Sequence, residues 1–81
     1  MPYIPKSMRK VVEEKGPVTP GELNYLVTKL VLEYVNTHAK NYTTYNDAIG
    51  ALECAKLELY RRAVVPYEDK KCREAGDVYG D

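Results

Sequence analysis

Every aromatic ring in this 81-residue chain is a tyrosine: there are eight, with no phenylalanine and no tryptophan. A ring buried only for its apolar area is better supplied by phenylalanine, because a phenol hydroxyl needs a hydrogen-bond partner once it leaves water. Tyr3, Tyr25, Tyr34, Tyr42, Tyr45, Tyr60, Tyr67 and Tyr79 therefore describe rings with one wet edge. Such rings suit a subunit interface or a planar ligand, and they equally suit an ordinary half-buried surface. The composition points to a binding surface and leaves the ligand open.

The length allows one domain, spanning 1–81. A chain of this size buries only a little over half of the surface its unfolded form exposes, so the core is thin and self-association is the expected remedy. Two cysteines, Cys54 and Cys72, are too few for a disulfide scaffold and form no zinc-type cluster with the single histidine. The start, Met1-Pro2-Tyr3-Ile4-Pro5, lacks the apolar stretch of a signal peptide, and no run approaches a membrane span. The expectation is a cytosolic protein without a membrane partner. Twelve basic and twelve acidic side chains cancel, which removes the broad cationic field of a duplex-binding protein. Any nucleotide must be held locally.

Local signals divide the chain into helices. Pro5 suits the first turn of a short amphipathic helix through Met8, Val11 and Val12, which Gly16-Pro17 ends. Thr19-Pro20-Gly21-Glu22 combines a capping threonine, a proline at the first helical position and a glutamate three residues after the cap. It opens a long helix from Pro20 to about His38. Residues 41–44 form a polar break, and Thr44 with Asp47 repeats the cap-plus-acid pattern to open a second long helix to about Val65. Pro66 should stop or kink that helix, leaving a short charged helix from Tyr67 to about Glu74. With no strand-like alternation, the fold class is all-α: an antiparallel pair of long helices with short flanking helices, in an oligomer.

On a helical wheel, Leu23, Leu26, Val27, Leu30, Val31, Tyr34 and Val35 share one broad arc of the first long helix, which is expected to be core. Tyr25 and Leu32 fall on the far side, where exposure would mark a second contact surface. His38 ends the helix and, with no acid at catalytic spacing, reads as a helix-terminal residue rather than a general base. In the second long helix Tyr45, Ala48, Ile49, Leu52, Ala55, Leu59 and Ala63 form the apolar arc, and its alanines allow another helix to approach closely. Lys56 lands in the middle of that arc, flanked by Glu53, Tyr60 and Asn46. It must snorkel, pair with Glu53, or meet an anion.

Arg61-Arg62 and then Tyr67 place forked donors and a ring within about two turns of one another. Cations at a helix C-terminus also follow from the helix dipole, so a structural role and a phosphate-binding role both remain open. Glu68-Asp69-Lys70-Lys71 reads as a solvated helix face, and Cys54 and Cys72 as incidental. The chain has no phosphate-cradling glycine loop, no serine–histidine–acid set and no metal-ligand spacing. It reads as a non-enzyme without a cofactor. The candidate ligand-binding residues are Tyr3, Tyr25, Asn46, Lys56, Tyr60, Arg61, Arg62 and Tyr67.

Thr19-Pro20-Gly21-Glu22-Leu23-Asn24-Tyr25, the segment from Tyr45 to Glu58, Tyr60-Arg61-Arg62 and Pro66-Tyr67-Glu68-Asp69-Lys70 resemble a family of small bacteriophage proteins. Met1-Pro2-Tyr3-Ile4 and Gly76-Asp77-Val78-Tyr79 fit it as well, so the likeness covers nearly the whole chain. The family is similar to the phage anti-CBASS sponges, tetramers that sequester cyclic dinucleotide signals such as 3′3′-cGAMP. The resemblance implies immune evasion in the host bacterial cytoplasm, by a homo-oligomer that holds the signal without cleaving it. It supplies no list of ligand contacts. The rival expectation is a small phage protein that binds a host or virion protein through a tyrosine-rich helical surface.

Overall fold

The computed structural model describes residues 2–80. The chain is all-helical, with α1 (Lys6–Lys15), α2 (Pro20–Thr37), α3 (Tyr42–Leu59) and α4 (Val65–Ala75), and no strand occurs among the described residues. A π-helical turn, Tyr60–Val64, joins α3 to α4 without a break, so the last three stretches make one long helix. The chain divides into two compact units, Met1–Ala48 and Ile49–Asp81, with the boundary inside α3.

In the first unit, α1 follows Pro5, which occupies the cap position rather than the first turn. Gly16 ends α1 at φ 89, a left-handed value that glycine adopts without steric cost, and its N–H donates to the Val12 carbonyl at 2.8 Å. The start of α2 is capped as its sequence predicts: Thr19 Oγ1 accepts the Glu22 N–H at 3.1 Å. The Glu22 carboxylate reaches one residue further back than in the usual box and accepts the Val18 N–H at 3.0 Å. The two bonds fix the entry of the chain into α2, one within its first turn and one just before the cap.

The packed helix pair in this unit is α1 on α2. That pairing overturns two expectations. Tyr25, expected on an exposed far side, is 8% exposed, because α1 covers that face of α2. The broad arc expected as core is largely open: Val35 is buried at 5% exposure, while Leu23, Val27, Leu30 and Tyr34 remain exposed. Asn41, not Thr44, caps α3, since its Oδ1 accepts the Thr44 N–H at 2.9 Å. Asparagine in that role is at least as good as threonine, and Thr44 is drawn inside the helix, where it is buried.

In the second unit, Pro66 neither stops the helix nor frees a separate one. An α-helical Pro66 would press its ring on the Arg62 carbonyl and lacks the N–H to bond it. The chain widens by one residue instead, and the Val65 N–H donates to the Tyr60 carbonyl, five residues back. The helix then runs to Ala75 and ends at Gly76, φ 95, whose N–H donates to the Cys72 carbonyl at 2.9 Å. Among the described residues, every buried side chain (Val12, Tyr25, Val35, Thr44 and Ala48) belongs to the first unit.

Candidate functional site

Two open clefts differ in charge. The first lies wholly in the first unit and encloses about 170 Å³. Pro2 and Tyr3 come from the segment before α1, Arg9 from α1, and Tyr25, Thr28, Lys29 and Leu32 from one face of α2. The α2 positions fall together because residues three, four and seven apart stack on one side of a helix. The second cleft, about 450 Å³, is formed where the tail after Gly76 turns beside α4. It presents the carboxylates of Glu68, Asp69 and Asp77 against the one cation Lys71, with Cys72, Val78 and Tyr79. The first cleft is lined by the cations Arg9 and Lys29, with the Glu13 carboxylate bonded to the Tyr25 hydroxyl, so its lining opposes an anion less than that of the second cleft does.

In the first cleft, the Tyr25 hydroxyl donates to Glu13 Oε2 at 2.6 Å. The hydrogen bond to that carboxylate raises the phenol pKa above its ordinary value; burial and the Glu13 charge act in the same direction, and Arg9 opposes them. Arg9 places its guanidinium 5.8 Å from the Tyr25 ring centre, and its Nε donates to the Ile4 carbonyl at 3.4 Å. Tyr25 thus has its hydroxyl engaged and its ring built into the cleft wall. Tyr3, by contrast, is almost wholly exposed at the same cleft. A planar group entering here would meet an aromatic edge or face, an arginine already organised by two contacts, and the exposed ammonium of Lys29.

Of the residues singled out from sequence, the cleft gathers Tyr3 and Tyr25. Asn46 is exposed on α3 and does not line it. Lys56, expected inside an apolar arc, has a side chain 70% exposed and lies 3.3 Å from Glu53. The ion pair foreseen for it exists, with both side chains more than half exposed rather than inside a core. Tyr60 is exposed. Arg61 and Arg62 converge on one carboxylate, Glu58, at 2.6 and 3.6 Å, and all three side chains are exposed. Tyr67 is exposed with the Lys71 ammonium 5.6 Å from its ring centre. These second-unit groups are not drawn into either cleft except through Lys71.

Sequence reasoning missed Arg9, Thr28 and Lys29. The available signal was the i,i+4 spacing of Arg9 and Glu13, which puts a cation and an acid on one face of α1 beside any ring that packs there. His38 behaves as expected of a helix end: its ring stacks on Tyr34 with centres 4.1 Å apart, and Nδ1 lies 2.7 Å from the Tyr34 carbonyl. Cys54 and Cys72 are free thiols. Among the described residues, no group of three or more His, Cys, Asp or Glu is placed to hold a metal ion. No helix among them is long and apolar enough to cross a membrane.

Comparison with known proteins finds no match among curated proteins and none among solved structures. A family model does match, over residues 1–78, and on that extent the chain belongs to the family described as a domain of unknown function, DUF6899.

Proposed function

We propose that this protein is a homo-oligomeric binding module that sequesters a cyclic dinucleotide of the 3′3′-cGAMP class without cleaving it, as a phage protein acting in the host cytoplasm. The observation that carries the reading is the cationic, tyrosine-walled cleft of Tyr3, Tyr25, Arg9 and Lys29. Aromatic rings stack on bases without regard to sequence, and arginine and lysine meet phosphate oxygens. At about 170 Å³ the cleft is smaller than the roughly 300–1,000 Å³ of a complete ligand pocket. One copy offers room for a base and a phosphate, and a two-fold ligand is completed by a second copy. The antiparallel pairing of long helices and a tetrameric assembly belong to the same proposal. Lys56, Tyr60, Arg61, Arg62, Tyr67 and Asn46 then serve at faces that assembly brings to the ligand, with Glu58 as the carboxylate a phosphate displaces from the two arginines.

Calorimetric titration with cyclic dinucleotides, cyclic trinucleotides and linear mononucleotides tests this reading. At least one purine-containing cyclic dinucleotide should bind and raise the melting temperature, because a rigid ring loses less freedom on binding than a linear ligand. Lys29→Glu should weaken binding by an order of magnitude or more while leaving the helices intact. Ligand released by heat should be chemically unchanged, and cleaved products would replace sequestration with catalysis. A panel without binding at about 100 μM would sink the nucleotide reading. The exposed Leu30, Ile49, Leu57 and Leu59 favour the second reading, a host or virion protein bound on the helical faces.

A further inference from the structure

The segment ahead of α1 is folded back on itself and tied to the first unit. The Ile4 N–H donates to the Pro2 carbonyl at 3.0 Å, a three-residue turn with Tyr3 at its apex. No non-glycine residue among those described has a positive φ, so the turn is the common inverse form rather than the strained one. Pro2 and Pro5 fix φ on either side, which lowers the entropy cost of holding Tyr3 in one place. The turn is anchored at Ile4, whose carbonyl accepts Arg9 Nε at 3.4 Å. Tyr3 itself is 79% exposed: it lines the cleft, yet neither α1 nor α2 packs over its ring.

Arg9 completes the arrangement. Among the described residues its guanidinium makes that one hydrogen bond and no ion pair, whereas Lys56, Arg61, Arg62 and Lys71 are each paired with a carboxylate. With Nε committed to the turn and the Tyr25 ring centre 5.8 Å away, the two Nη groups form an oriented fork with no acid bonded to it. Such a fork matches two oxygens of one phosphate.

We infer that Pro2–Pro5 is a strap of the ligand site: Tyr3 closes its ring over a base in the cleft, and Arg9 couples that closure to the phosphate by holding the Ile4 carbonyl through Nε and the phosphate through its Nη fork. The inference rests on the nucleotide reading given above and assigns the two parts of one nucleotide unit within the first unit alone. Tyr25, the other ring of the cleft, is 8% exposed and offers little face, so the stacking surface falls to Tyr3. A tyrosine stacks on any base, and the arginine confines the closure to ligands that carry phosphate.

The chain has no tryptophan, so Tyr3→Trp in the full chain is a single reporter of the strap. On titration with 3′3′-cGAMP its indole fluorescence should be quenched over the same concentrations at which calorimetry records heat. Guanosine, which offers a base without phosphate, should leave it unchanged there; equal quenching would remove Arg9 from the closure. Tyr3→Ala should keep the helical circular dichroism and lose about tenfold in affinity, the scale of one base–aromatic stack. Unchanged affinity would overturn the strap. Arg9→Lys keeps the charge and loses the fork. Combined with Tyr3→Trp, it should weaken binding and abolish the quench even at saturating ligand; a full quench at saturation would make Arg9 a charge only and overturn the coupling. Heat without quenching in the Tyr3→Trp protein would overturn the strap while the sequestration reading stands. No heat from the native protein would sink that reading, and the strap with it.

Discussion

Tyr25 joins the packing of the first unit to the chemistry of its cleft. Its ring closes the α1–α2 contact, and its hydroxyl donates to Glu13 at 2.6 Å. Tyr25→Phe keeps the ring and deletes the donor, and Glu13 is exposed enough for water to take over its carboxylate. The variant should be less stable than the native protein, since the hydrogen bond from the phenol to a charged group is lost. The phenol pKa is raised by that hydrogen bond first, so the linkage has a definite sign. The contribution is fully present below the unfolded value of about 10 and is lost as pH climbs from there through the raised folded value, because the unfolded chain releases its proton first. Urea unfolding of the native protein and Tyr25→Phe at a series of pH values should show their stability difference shrinking above about pH 10. A difference constant through that range would remove the Glu13 bond as its source. The arginine beside this ring was not legible from composition, since nothing in Arg9 distinguishes it from Arg61 or Arg62 until α1 is folded onto α2.

Helix boundaries were legible where capping chemistry is unambiguous and were displaced where two caps compete. Thr19 with Glu22 works at its expected place, whereas Asn41 takes the α3 start from Thr44. Asn41→Ala should therefore cost about 1 kcal/mol of helix stability, and Thr44→Ala should act through its burial instead. Amide hydrogen exchange distinguishes them: loss of the cap should speed exchange at Thr44 and its neighbours selectively, and unchanged protection there would reassign the cap. The apolar positions of α2 share a face as their spacing predicts, but most of that face is not core. Periodicity tells which side chains share a face, and only a covering element turns a face into an interior. For α2 the covering element is α1, which lands on the Tyr25 side, so Leu23, Val27 and Leu30 stay open.

At the scale of the whole molecule, burial is concentrated in the first unit while a long helix carries the second. A helix of that kind is marginal in water without packing on one face. Thermal unfolding should accordingly depend on protein concentration, with the melting temperature rising several degrees over a hundredfold increase, as mass action requires when folding and association are coupled. A melting temperature independent of concentration would mean that the second unit is stable unaided. The all-helical class was legible because caps and proline spacing leave little else; the continuity through Pro66 was not, because it depends on the widened turn at Tyr60–Val64. That turn acts as a phase setting. One residue of an α-helix subtends roughly 100° about the axis, so the extra residue fixes the compass bearing of Tyr67 and Lys71 relative to Leu57 and Leu59. A single deletion between Tyr60 and Val64 would leave the residues of α4 unchanged and swing their face to another quarter of the helix. The length of this stretch is thereby constrained more tightly than its composition.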